Sequence, residues 1–178
     1  MDAARVGTIP CPIRWITTIM TTQEQLLQVF NDNFIAYFRS HVAHVNTVGR
    51  NFVSDHKLLG KIYKDLQGQI DTIAEILRTL DEMMPCCLTD IIDASEISTL
   101  PIDGDSDELL EQVLEDLGTL KGCYLELMTV AEEEEHKEIA NYAQDRVLAI
   151  AKFEWMLRST LGLSGQDNYQ EPKDFTTF

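Results

Sequence analysis

No apolar run in this 178-residue chain is long enough to cross a bilayer, so a membrane-spanning helix is excluded. Proline is scarce, five in all, and 44% of the residues are hydrophobic, which suits a folded, helix-rich chain rather than a disordered one. Basic residues are also few: fourteen Lys and Arg stand against thirty Asp and Glu, for a net charge of −16. The imbalance is local. Between Asp81 and Glu138 lie eighteen acidic residues and two lysines, and the rest of the chain is neutral. Phosphate recognition needs Lys and Arg, so direct DNA binding is not expected, while cations should be attracted. The four cysteines, Cys11, Cys86, Cys87 and Cys123, show neither CxxC spacing nor a disulfide framework. Free thiols in a reducing, cytoplasmic setting are expected. Residues 1–20 carry Pro10 and Pro12 without helical periodicity and do not read as a secretory signal.

What the chain does have is helical period, in one domain-sized stretch. Thr21 and Glu24 form a capping-box pattern that opens a first helix reaching about residue 47, with Leu26, Leu27, Phe30, Phe34, Tyr37, Phe38 and Val45 as its expected core stripe. After Gly49, Asn51 or Ser54 can cap a second helix, over about 54–83, with its seam at Leu59, Ile62, Leu66, Ile70, Ile73, Leu77 and Leu80. Residues 85–105 are punctuated by Pro85, Pro101 and Gly104, and TDIIDASEI within them reads as a short helix. That connection is long enough to return along the bundle, which would make the second and third long helices parallel. The third starts at Ser106, and the fourth ends near Thr160 at Gly162, with Leu148 and Trp155 among its apolar positions. The expected architecture is an all-α four-helix bundle over 21–162, flanked by an arm (1–20) and a tail (163–178). Glu133 and His136 spell Glu-x-x-His, but no second copy exists for an internal di-iron site, so EEEEHKE reads as a solvated junction or an acidic pore.

The densest chemistry lies between His44 and Glu75. Two histidines, His44 and His56, stand twelve residues apart across a turn; Asp71 and Glu75 follow, one helical turn from each other. Imidazole and carboxylate suit iron, zinc or manganese. On one helix His56 and Asp71 would be roughly 22 Å apart at about 1.5 Å per residue. One metal cannot touch both, unless a second copy lies antiparallel across a two-fold axis. His41, three residues before His44, is either a structural histidine or a supplementary ligand.

The series His44, Asn46, Gly49, Asn51, Phe52, His56, Asp71 and Glu75 resembles the signature of the Dps family, the mini-ferritins. The resemblance implies a ferritin-like bundle with a short crossover helix, a two-fold dimer within a dodecameric shell, and iron as the bound metal. His44 and His56 would hold Fe(II), with Asp71 and Glu75 from the two-fold mate; H₂O₂ or O₂ would oxidise it, and ferric iron would be stored. Two positions depart: Gly60 stands where the family usually has Asp, and Val45 where it commonly has Trp. Gly60→Asp is accordingly expected to tighten a second metal position at little cost to the helix. The lysine-rich tail of some members is missing. The alternative is a catalytically weakened shell with a structural role.

Overall fold

The computed structural model describes residues 20–163, which form five helices and no strand. The predicted arm and tail, with Cys11, therefore lie outside the described residues apart from Met20 and Leu163. Helix α1 spans Thr22–Asn46, α2 Phe52–Thr79, α3 Leu88–Ala94, α4 Ser106–Glu133 and α5 Lys137–Thr160. The Thr21–Glu24 capping box forms as expected, and a second joins Asp105 to Glu108. Helix α4 is thus capped by Asp105, one residue before Ser106. Helix α2 starts at Phe52, earlier than predicted; Asn51 occupies the cap position without a side-chain bond, and the Ser54 hydroxyl instead donates to its carbonyl.

Three helices end in the same paired reverse bonds, with the residue after the cap in the left-handed region. Gly162 (φ 72°) is the easy case; Asp81 (φ 59°) and Glu135 (φ 65°) pay the Cβ cost of that conformation. The bonds Glu82 N–H to the Leu77 carbonyl and His136 N–H to the Ala131 carbonyl close the other two motifs. Neither stop was legible, because neither position is glycine. Glu133 thus closes α4, and His136 caps α5. Glu-x-x-His never lies on one helix. Glu134 in this junction accepts from the Thr22 N–H at 2.9 Å and so serves the start of α1.

Antiparallel pairing follows from the cross-links. Asn33 donates to the Leu66 carbonyl between α1 and α2, Gln25 to the Cys123 carbonyl between α1 and α4, and Tyr142 to Gln69 between α5 and α2. Since α2 and α4 each run against α1, they are parallel to each other, as the long connection predicted. Leu26, Phe30, Leu59, Ile62, Leu66, Ile73, Leu77, Leu110, Leu117, Leu120, Leu127 and Ile150 fill the core. Four predicted core positions are instead exposed: Phe38, Val45, Leu148 and Trp155. Helical period identifies a face, but a face wider than the core leaves its flanks in water.

The bundle interior also holds charge. Arg39 on α1 pairs with Asp116 on α4 at 2.7 Å, Arg146 on α5 with Asp65 on α2, and Lys121 on α4 with Glu154 on α5. Buried Asp32 has neutral partners: Ser95 and the Glu96 N–H, each at 2.7 Å, and Gln28. These bonds hold the crossover segment against α1.

Candidate metal centre

The turn at Gly49 (φ 104°) folds α2 back on α1 and sets His44 beside His56. Their rings stack with centroids 3.7 Å apart and planes 22° apart. The bonds between them are crossed: His44 Nδ1 donates to the His56 carbonyl (2.7 Å), and His56 Nδ1 donates to the His44 carbonyl (2.8 Å). A carbonyl only accepts, so the proton on each ring sits at Nδ1. In the neutral imidazole this leaves the Nε2 lone pair for a metal, the tautomer that backbone hydrogen bonding sets in metal-ligating histidines. Burial lowers the His44 pKa below its usual value, and the nearby His56, His41 and Lys64 lower it further; the bond to the His56 carbonyl opposes them. These surroundings favour the neutral form of His44.

Residues His56, Gly60 and Tyr63 recur at four and three positions along α2 and so share the face turned to α1. A Cβ at Gly60 would stand 3.1 Å from His44 Cε1 and 3.3 Å from its Nδ1. The His44 ring crowds that position. Residue 60 is helical, as the expectation for Gly60→Asp required, and a side chain there also needs the His44 ring to give by a few tenths of an ångström. Tyr63 stacks on His41 at 4.3 Å with a 14° interplanar angle, and its ring lies 4.8 Å from His44. Tyr63 went unnoticed in the sequence, although its place two turns beyond His56 was the available signal. His41 is 6.2 Å from His44 by ring centroids and packed on this tyrosine.

Asp71 and Glu75 are exposed on the same helix, fifteen and nineteen residues beyond His56. The structure thus brings the two histidines together and leaves the two carboxylates apart from them. Among the described residues, no three His, Cys, Asp or Glu side chains of one chain converge as a metal cluster. Of the other carboxylates in and beside the core, Asp65, Asp116 and Glu154 are engaged by cations, Asp32 by neutral donors and buried Asp55 by the Ser54 hydroxyl. What the arrangement offers is half a coordination sphere at the bend and two free carboxylates one turn apart.

Comparison with known proteins gives consistent results. A family model described as a ferritin-like domain matches residues 23–164. The DNA protection during starvation protein of Helicobacter pylori is 27% identical over 143 residues, covering 80% of this chain and 99% of that protein. The crystal structure of Helicobacter cinaedi CAIP superposes with a TM-score of 0.74 at 31% identity, covering 79% of this chain and 99% of that one. A DPS protein of Vibrio cholerae O1, described as a member of a broad superfamily of ferritin-like diiron-carboxylate proteins, superposes with a TM-score of 0.75 at 21% identity; 79% of this chain and 88% of that one are covered.

Proposed function

This chain belongs to the ferritin-like family, among its Dps proteins, and we propose that it binds Fe(II) between two subunits, oxidises it and stores the product. The observation that carries this is the crossed pair of Nδ1-to-carbonyl bonds at His44 and His56. It leaves the two Nε2 atoms as the ring nitrogens not bonded to backbone and brings no carboxylate beside them. A two-fold mate lying antiparallel supplies Asp71 and Glu75 to complete the sphere. The mate's carboxylates neutralise the cation, the histidines orient it, and H₂O₂ or O₂ takes its electrons. Ferric product collects on acidic surface inside a shell, and withdrawing free Fe(II) from solution protects the cell against oxidative damage. An uncovered apolar strip supports the association: Phe38 and Val45 on α1 are exposed, as are Leu88 and Leu100 near the crossover.

Complementation between subunits tests the shared site. His56→Ala chains and Asp71→Ala/Glu75→Ala chains should each fail to oxidise Fe(II). Assembled together from denaturant, they should regain oxidation, because each mixed pair contains one site with both intact halves. No recovery in verified mixed assemblies would reject the two-subunit site. A second reading, a shell without oxidation chemistry, is favoured by Gly60, which offers no carboxylate beside His44. Stoichiometric Fe(II) consumption by the unmodified protein decides against it.

A further inference from the structure

Helix α2 ends at Thr79, and Asp81 turns the chain out into an irregular segment that runs to α3. Into its five residues 83–87 the sequence places Met83, Met84, Pro85, Cys86 and Cys87. All four sulfur side chains are exposed on the single chain: Met83 is 67% exposed, Met84 44%, and both cysteines are exposed and free. Methionine and cysteine are ordinarily among the most buried residues, and Cys123, packed in the core, follows that habit. Here the sulfurs contribute nothing to the core. Nor do they suit a bond to each other: adjacent Cα atoms are about 3.8 Å apart across a trans peptide, short of the roughly 4.4–6.8 Å that disulfides span.

From this juxtaposition we propose a second metal site, specific for a soft monovalent cation of the Cu(I) type, held by the thiolates of Cys86 and Cys87 with a methionine thioether as third donor. Thiolate and thioether donors select Cu(I), whereas the imidazoles and carboxylates of the iron site do not. Met84 is the expected third donor. Met83 is already engaged, because Arg78 Nη1 donates to its sulfur at 3.0 Å and sets a positive charge against it. Asp81, Glu82 and Asp90 flank the segment and favour a cation. Two thiols must lose their protons, so binding weakens as pH falls.

The test is a titration of the full-length, reduced protein with Cu(I), under nitrogen, in competition with a chromophoric Cu(I) chelator. One equivalent per chain should leave the chelator for the unmodified protein. Cys86→Ser/Cys87→Ser should abolish this transfer, while Cys11→Ser should leave it unchanged. Met84→Leu should weaken it by roughly tenfold, the loss of one of three soft donors, and Met83→Leu should not. The double serine variant should oxidise Fe(II) like the unmodified chain, which separates this site from the histidine site. Equal Cu(I) uptake by the double serine variant, or none by the unmodified protein, would overturn the proposal.

Discussion

At the scale of single residues, Gly60 sets how closely the two chelating helices approach. With no Cβ at residue 60 the His44 ring, bonded to the His56 carbonyl, packs close to α2, and a Cβ there would stand 3.1 Å from its Cε1. Gly60→Ala should leave the fold intact, since alanine is about 0.5–1 kcal/mol better in a helix interior. It should nonetheless lower Fe(II) affinity by about tenfold, the scale of losing an outer hydrogen bond to a metal ligand. Calorimetric titration alongside thermal denaturation separates the two effects, and unchanged affinity would mean that His44 yields without loss. Asp116 makes a different point. Burial raises its pKa from 3.8 to about 6, although the Arg39 guanidinium opposes the rise. The folded carboxyl therefore holds its proton more tightly than the unfolded one. The stability this brings is fully present below about 3.8 and is lost as pH rises through about 6. Urea denaturation between pH 3.5 and 7 should show the unmodified protein losing stability relative to Asp116→Asn across that window. A difference that stays flat would reject the linkage.

At the scale of elements, the crossover between α2 and α4 is held by buried Ile91, Ile97 and Ile102 and by hydrogen bonds from Arg39 and Gln28, and Asp32 adds a local anchor. Asp32 on α1 accepts from Ser95 and from the Glu96 N–H, just past the end of α3. Asp32→Ala removes the acceptor of both part-buried donors, and since water can reach them the cost is nearer the net value of a hydrogen bond, about 0.5–1.5 kcal/mol each. The expected result is faster hydrogen exchange of the Glu96 amide, with the amides of α2 and α4 slowed as before. Uniform acceleration throughout the bundle would show that the crossover is not a separate unit of stability. The long helices are more evenly supported, because α1 and α4 open on capping boxes and each buries an apolar face.

At the scale of the whole molecule, charge governs what can approach. The net charge of −16 is concentrated between Asp81 and Glu138, where only two lysines interrupt it. At ~0.15 M salt exposed charges are screened beyond about 8 Å, yet so dense an acidic surface still opposes phosphate. The assembled protein should show no shift of duplex DNA in chelator, at low salt as at physiological salt. Sub-micromolar binding there would require a basic surface that this composition does not supply. Addition of Mg²⁺ is the informative contrast, since a bridged complex would appear only with the cation.

The helices were legible because burial imposes a period that side chains must obey. Of the seam, Leu59, Ile62, Leu66, Ile73 and Leu77 are in the core and Ile70 and Leu80 pack half-buried against it, and the crossover was long enough for α2 and α4 to be parallel. His44 and His56 were legible as a pair, since a turn between two helices brings residues twelve apart together. Where each face ends was not. Phe38, Val45, Leu148 and Trp155 fit the helical period and still lie in water, because the width of a core depends on the neighbouring helices. Nor could the sequence say why residue 60 is glycine. As a missing carboxylate it looked like a loss to the site; in three dimensions it is also a close approach, with the His44 ring 3.1 Å from where a Cβ would stand. The helix ends at Asp81 and Glu135 belong to the same class, as left-handed conformations held by reverse hydrogen bonds rather than by residue type. Local composition specifies period and donor chemistry; contact distance and the boundary of the core are decided only when the helices pack.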